Sequence, residues 1–418
     1  MATVYWVGGA APVAKVVTCT IGGTVEAGDI FKITMGAKTL SYSAGTTNAE
    51  TEATALAAAW NALSATTYPE FAEITAAATS GGALTLTHDT AGTDFSVTLA
   101  TTESNGGAAD DQTFTQSDTT ANAGPNDWST AANWSGGAVP VNGDDVVIEN
   151  SAVSIYYGLA QSAVTLASLV IESSYTGAIG LPPDNANDYV EYRDQYLAIG
   201  ATVLKILGGT GQVNIDVGSA QTAATITSAA RSNTTGLPAI LLKGTHVGNT
   251  VTVTKGDVGV AVKAAETATA ATLAVGYDAS LAGDATVVCG SGVTLTTINQ
   301  SGGSLTIESN ATTINQTEGT LHVTGAGAVT TLNLDGGTCY YKSTGTCTTA
   351  NVGNGGVLDF RRNPSARTVT NCTVNYGAAV YDPAKTVTWT NGLDLYRCSV
   401  DEITLDVGSH LTLTPSAI

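Results

Sequence analysis

A short phrase recurs through the last third of this chain at nearly constant spacing, and few folds tolerate such a pattern. It consists of Asn, a short polar step, Gly and an alternating strand. Its clearest copies are Ile298-Asn299-Gln300-Ser301-Gly302-Gly303-Ser304-Leu305-Thr306-Ile307 and Ile314-Asn315-Gln316-Thr317-Glu318-Gly319-Thr320-Leu321-His322-Val323. Looser copies follow at Leu332-Asn333 with Gly337, Asn351 with Gly356-Val357-Leu358, Val374-Asn375 with Gly377, Asn391-Gly392-Leu393, and Gly408 with Leu411 and Leu413. Between Gly303, Gly319, Gly337, Gly356, Gly377, Gly392 and Gly408 the steps are 16, 18, 19, 21, 15 and 16 residues. A period under about 25 residues built from short strands points to stacked coils, each pairing with the next.

The expected fold is therefore mainly β: a parallel β-helix, or solenoid, with a small inserted N-terminal α+β domain. In a strand alternate side chains face opposite ways, so one residue of each coil stacks inward on its counterpart. Leu305, Leu321, Leu358, Leu393 and Leu411 are expected to form one such inward ladder. Glycines fall where the chain turns a corner or needs positive φ. An antiparallel β-sandwich is the competing arrangement, but it does not repeat a side-chain pattern in this way. Residues 293–418 read as regular coils of about 16–21 residues, and residues 151–292, with longer strands such as Val164–Ile171 and Val203–Leu207, as wider irregular coils.

The N-terminal part divides differently. Residues 1–12 hold a short aromatic strand, Tyr5-Trp6-Val7-Gly8-Gly9. Its continuation lies far downstream in the Trp-rich segment 120–150, with Asn126-Asp127-Trp128, Asn133-Trp134-Ser135, Val139-Pro140 and Gly143-Asp144-Asp145. Residues 13–119 between them read as an independent α+β unit. It has strands at 16–21, 29–35 and 38–42, and a helix opened by Thr47 and Glu50 at capping-box spacing. That helix carries Ala53, Leu56, Ala57, Trp60 and Leu63 on one stripe, and strands near 71–76, 83–87 and 95–99 follow. One sheet with a helix on it is the simplest arrangement.

Two features of this part are shared with known proteins. Gly-Gly-Thr-Val-Glu-Ala-Gly-Asp at 22–29, the Thr-Asn-Ala-Glu helix start and Gly-Gly-Ala-Leu-Thr-Leu-Thr with Thr-Ala-Gly-Thr-Asp-Phe resemble small accessory domains of tailed-phage virion proteins. The split Trp-rich lead-in is similar to segments that precede solenoids in phage and bacterial surface proteins. The resemblance implies a structural protein of a bacteriophage or prophage particle: a capsid decoration, fibre, tail or baseplate component assembled in the host cytoplasm. It also implies a homo-oligomer, in particular a trimer, with other virion proteins and a host surface glycan as candidate partners. A bacterial surface adhesin is an alternative, but Met1–Trp6 lacks the basic and apolar regions of an export signal.

Composition narrows the partners. The formal charge is −20, with 15 Lys and Arg against 35 Asp and Glu, which repels phosphate backbones and anionic lipid, so nucleic acid is not an expected partner. No apolar run of about 18 residues suggests membrane insertion. No phosphate-cradling loop, dinucleotide fingerprint or metal-ligand spacing is present, so no cofactor and no metal is expected. The histidines, His88, His246, His322 and His410, are isolated, and the six cysteines are spread through the chain as small core residues would be.

Three places remain as candidate sites. Glycan cleavage by a tailspike needs two carboxyls facing one groove. Asp144/Asp145 and Asp401/Glu402 are adjacent pairs that a regular strand would point apart, while Asp359 and Asp382 stand at coil spacing beside Arg361 and Arg362. No residue is assigned a catalytic role, and the chain is expected not to be an enzyme. Tyr189, Tyr192, Arg193 and Tyr196 form the most interaction-like group, suited to a subunit contact or a sugar-stacking platform. Leu411 and Leu413 lie on a final alternating strand that offers an open edge to a neighbouring copy.

Overall fold

The computed structural model describes residues 2–103, 111–220, 222–227, 236–244, 249–276 and 284–408. The chain is mainly β and is dominated by one large parallel sheet. Strand pairs within it are in register, so residues far apart in sequence stand directly beside one another. One column runs Val4, Val146, Leu169, Leu204, Ala224, Val251, Leu273, Ile298, Ile314, Leu332, Ala350, Cys372, Leu393. All thirteen are buried. Two residues further along each strand, a second column runs from Ile148 through Ile171, Ile206, Ile226, Val253, Val275, Gln300, Gln316, Leu334, Val352 and Val374 to Leu395.

A further in-register series in the same sheet runs Ile179, Val213, Ile240, Val258, Val287, Leu305, Leu321, Cys339, Leu358, Val380 and Leu405. The ladder expected through Leu305, Leu321 and Leu358 is thus present, but Leu393 is not part of it. Leu393 pairs with Cys372 in the first column, and Val380 takes the rung beside Leu358. The reason is that Gly392 stands at a different bend: Val387–Trp389 continues Arg367–Val369 and Leu393–Leu395 continues Cys372–Val374, so Gly392 precedes the first column whereas Gly319 and Gly356 precede this one, and glycine spacing alone misassigns the rung. All six cysteines are free thiols, five of them buried, and Cys339 and Cys372 fill rungs where a leucine or valine stands in neighbouring turns.

Positive φ recurs at the corners: Gly303, Gly319 and Gly337 sit at φ of 66°, 85° and 70°. At Gly303 a Cβ would lie 2.3 Å from the carbonyl oxygen of Ala285 in the preceding turn, so stacking itself excludes a side chain there. On the outer surface Asn299, Asn315, Asn333 and Asn351 form a ladder in which each amide donates to the preceding one at 2.8–2.9 Å. Inside, the buried amide of Gln316 donates to the carbonyls of Gly319 and Thr338, tying a corner to the next turn.

Strand Thr3–Tyr5 pairs in parallel with Asp145–Ile148, joining the two halves of the lead-in. Trp6, Trp128 and Trp134 pack edge-to-face with centroids 5.0 and 4.5 Å apart. Buried Asn133 binds the nearby backbone, accepting from Ala10 N and donating to the carbonyls of Gly124 and Asp127. Between the halves, Val13 and Ala123 bridge antiparallel, placing the two ends of the intervening unit side by side.

That unit has its own core, around Phe31, Leu56, Trp60 and Leu84. Its strands form two antiparallel sheets rather than the single one expected. One has the order Ile74–Thr79, Ala83–His88, Val16–Gly23, Gln112–Thr120, and the other Lys38–Ser43, Ile30–Met35, Thr98–Thr102. Ile30–Met35 and Lys38–Ser43 form a hairpin in the second sheet, while Val16–Gly23 pairs with later strands in the first. Helix Ala49–Asn61 buries Ala53, Leu56, Ala57 and Trp60 as its periodicity requires. It is capped by Asn48 rather than Thr47, because Asn48 Oδ1 accepts from the amides of Glu50 and Thr51.

Candidate functional site

The loop between Leu181 and Tyr196 leaves the parallel sheet and meets the α+β unit. Asp184 and Val190 bridge antiparallel, Asn185 N donates to Tyr189 O, and Asp188 takes the left-handed conformation at φ 61°. This tight excursion turns Tyr189 and Tyr192 toward the unit instead of toward solvent. Tyr189 is 7% exposed, and Tyr192 packs against the unit's core, its Cβ close enough to Gly36 that a side chain there would crowd it at 3.0 Å.

Arg193 organises the junction. Its Nε and Nη2 donate to the two oxygens of Glu191 at 2.7 and 2.8 Å, a bidentate pair that is nearly buried on both sides. Nη2 also donates to Tyr189 Oη at 3.0 Å, and Nη1 to the carbonyl of Asp94 in the α+β unit at 3.2 Å. Tyr189 Oη in turn donates to Glu73 Oε2 at 2.9 Å, and Asn187 Nδ2 donates to Glu73 Oε1 at 2.6 Å. His88 Nε2 stands 3.6 Å from Glu73 Oε2. One chain of charge-assisted contacts thus runs from Glu191 through Arg193 and Tyr189 to Glu73 across the junction.

Electrostatics follow from this wiring. Burial pushes the Glu73 carboxyl up, but the nearby His88 ring, hydrogen bonds from Asn187 and Tyr189 and the charge of Arg193 outweigh it and hold the group below its ordinary value. Glu191 is treated alike: burial opposes ionisation, and the Arg193 guanidinium overcomes it. The Tyr189 hydroxyl is pushed well up by burial, with Glu73 adding to the shift. A cleft of about 260 Å³ opens beside these groups, lined by Glu73, His88, Thr90, Tyr157, Asn187 and Arg193 among others. Three of these hydrogen bonds cross from the loop to the unit, Tyr189 and Asn187 to Glu73 and Arg193 to Asp94, while the bonds of Arg193 to Glu191 and Tyr189 brace the loop itself, so the arrangement works as a clamp.

Tyr196 belongs to a different neighbourhood on the parallel sheet, with the ammonium groups of Lys243 and Lys263 at 4.4 and 5.2 Å from its ring centre. The four candidates Tyr189, Tyr192, Arg193 and Tyr196 therefore do not form an outward platform for a sugar or a second subunit. Two of the tyrosines and the arginine are turned into an intramolecular junction, because the unit inserted over a hundred residues earlier packs there. Glu73, Asp94 and His88, which complete the clamp, carry no local signal in the sequence that ties them to this loop. Leu411 and Leu413 lie outside the described residues.

The carboxylate candidates are each engaged locally. Asp144 accepts from Ala2 N and Val141 N, and Asp145 accepts from Ser168 Oγ. Asp359 is gripped by Arg361, whose Nη2 donates at 2.7 Å, and Asp382 accepts from Thr386 N, Thr386 Oγ1 and Val387 N. Burial raises the Asp359 carboxyl and Arg361 lowers it by more, leaving it below the usual aspartate range. Glu402 accepts from Ser399 as a turn cap. A groove along Ser291–Leu295, Asn310–Thr312, Ala328 and Thr330 offers hydroxyl and amide groups with no ionisable side chain in its lining. His322 stacks on Tyr340 at 5.1 Å, and Arg362 lies 3.7 Å over the same Tyr340 ring.

No family model, no curated protein and no solved structure matches this chain.

Proposed function

We propose that the parallel sheet is a β-helix and that the chain is a non-enzymatic structural protein of a tailed-phage particle, serving as a capsid decoration, fibre, or tail or baseplate component. The observation that carries the first half is the in-register column from Val4 to Leu393. Its twelve steps pair each residue with the one a turn earlier and a turn later, and a second flank repeats the pattern. A closed barrel of the same strands would instead need Thr404–Asp406 to pair with Asp145–Ile148, and the strand paired with Thr404–Asp406 is Ala379–Tyr381. A stack of this kind is a stiff rod whose stability grows with each added turn.

The second half is supported by how the surface is used. The outer faces carry Asn and Thr ladders, and the conspicuous carboxylates and aromatic groups are spent on internal contacts. Such a body suits mechanical and adhesive work, presenting a protease-resistant surface with the α+β unit clamped to its side. Assembly as a homo-oligomer, a trimer in the simplest case, belongs to the same proposal, as does contact with other virion proteins and a host surface glycan.

Light scattering of the purified 42.0 kDa chain together with electron imaging tests this reading. The expected result is an elongated particle with the mass of an oligomer. A compact monomer that depolymerises capsular polysaccharide would replace it with the tailspike reading.

A further inference from the structure

The α+β unit holds a carboxylate cluster that the clamp and the β-helix do not use. Glu26 and Asp29 flank a tight turn, with Asp29 N donating to Glu26 O at 3.2 Å. Strand Ile30–Met35 begins at the next residue. Ile30 pairs with Thr102, so antiparallel register brings Glu103, one residue past the strand Thr98–Thr102, alongside the turn. One side-chain oxygen from each of Glu26, Asp29 and Glu103 lies within 4.8 Å of the other two.

Asp29 makes this more than a patch of surface charge. It is fully buried, at 0% exposure. Its Oδ2 accepts from Glu26 N at 2.7 Å, whereas its Oδ1 has no hydrogen-bond partner. A buried carboxylate oxygen without a donor is costly, and placing two further carboxylates beside it raises the cost. A cation resolves both problems at once. Glu26 is exposed and Glu103 half-buried, so the cluster has a buried inner ligand and an open side through which a hydrated ion enters.

We propose that Glu26, Asp29 and Glu103 bind a calcium ion, with Asp29 Oδ1 as the inner ligand and water completing the shell. The donors are all hard oxygens, which favours calcium or magnesium over zinc or copper. Three carboxylates on two separate segments, completed by water, suit the flexible shell of six to eight oxygens that calcium takes better than the near-ideal octahedron that magnesium demands. Binding cross-links the 26–29 turn to the end of Thr98–Thr102 and so braces one edge of the three-stranded sheet.

Isothermal titration of the full chain, stripped with chelator and then titrated with calcium chloride, tests this, with magnesium chloride as the competitor and thermal unfolding as a second readout. One calcium per chain, a higher unfolding temperature, and at least tenfold weaker binding in both Asp29→Asn and Glu103→Gln are expected. Glu103→Gln lies toward the open side and keeps the test valid where Asp29→Asn fails to fold. Asp401→Asn, on an exposed turn in the parallel sheet, is the control and binds as the parent does. No heat and no thermal shift up to about 10 mM calcium, beyond the 10⁻⁴–10⁻³ M range of weak calcium modules, overturns the proposal. Binding unchanged in Glu103→Gln overturns it equally.

Discussion

At the scale of single residues, the junction depends on one arginine. Removing one partner of a nearly buried ion pair leaves the other charge uncompensated, typically at about 3–5 kcal/mol. Arg193→Ala is therefore expected to lower stability by that order, read as a lower urea midpoint, and to expose the junction to limited proteolysis at neutral pH. The parent reaches a similar state by acidification. Glu73 and Glu191 are held below the ordinary glutamate value, so their contribution is fully present above about pH 4.3, the usual value for an unfolded chain, and is lost as pH falls through their lowered values. Proteolysis at the junction should rise on acidification below about pH 4.3 and not between pH 5 and 8. Protection unchanged in Arg193→Ala would remove the clamp from the account.

The same scale shows where sequence reading reaches its limit. Tyr189, Tyr192 and Arg193 stand out in the sequence because aromatic and cationic groups are dense there, and density of that kind marks any buried contact, internal or external. Their partners Glu73 and Asp94 are about a hundred residues away, in a unit whose docking is set by packing and not by spacing. Asn48 in place of Thr47 as the helix cap is a smaller case: both residues are good caps, and only the backbone path decides which one faces the amides.

At the scale of the strand, neighbouring residues serve opposite purposes. Leu332 points inward between Ile314 and Ala350, while Asn333 points outward and joins the amide ladder. Leu332→Ala should cost about 2–5 kcal/mol, since its tightly stacked neighbours in the turns above and below limit collapse of the cavity. Asn333→Ala forfeits two hydrogen bonds at about 0.5–1.5 kcal/mol each, partly returned by water. Comparing the two in urea unfolding checks the facing of the strand; equal losses would mean that the pattern does not separate core from surface. This facing was legible beforehand, because the alternation of apolar and polar residues has the period of a strand. The flank to which each strand belongs was not. Leu393 follows a glycine as Leu321 does, yet Gly392 bends the chain at a different corner and sets Leu393 on the column of Cys372.

At the scale of the whole molecule, the α+β unit is a side branch of the parallel sheet. Val13 and Ala123 are already paired, so excising the residues between them and joining the ends should leave Thr3–Tyr5 beside Asp145–Ile148. A chain shortened in this way is expected to keep its β-rich circular dichroism spectrum and a single unfolding transition, while its Tyr189 loop becomes sensitive to protease. Loss of the folded spectrum would show that the stack needs the unit as a buttress.

What the sequence determined by itself is the repeated strand with inward apolar positions such as Leu305, Leu321 and Leu358. Those depend on local alternation and on a period that the chain states many times over. It also marked a separate unit within residues 13–119 and the two halves of the Trp-rich lead-in on either side. Only the tertiary structure decided that this unit has two sheets, that the tyrosine loop is its clamp, and that Glu26, Asp29 and Glu103 meet. The physical reason is the same in each case. Repetition along the chain repeats contact with the next turn, whereas a contact made once between distant segments is fixed by shape and charge that no period encodes.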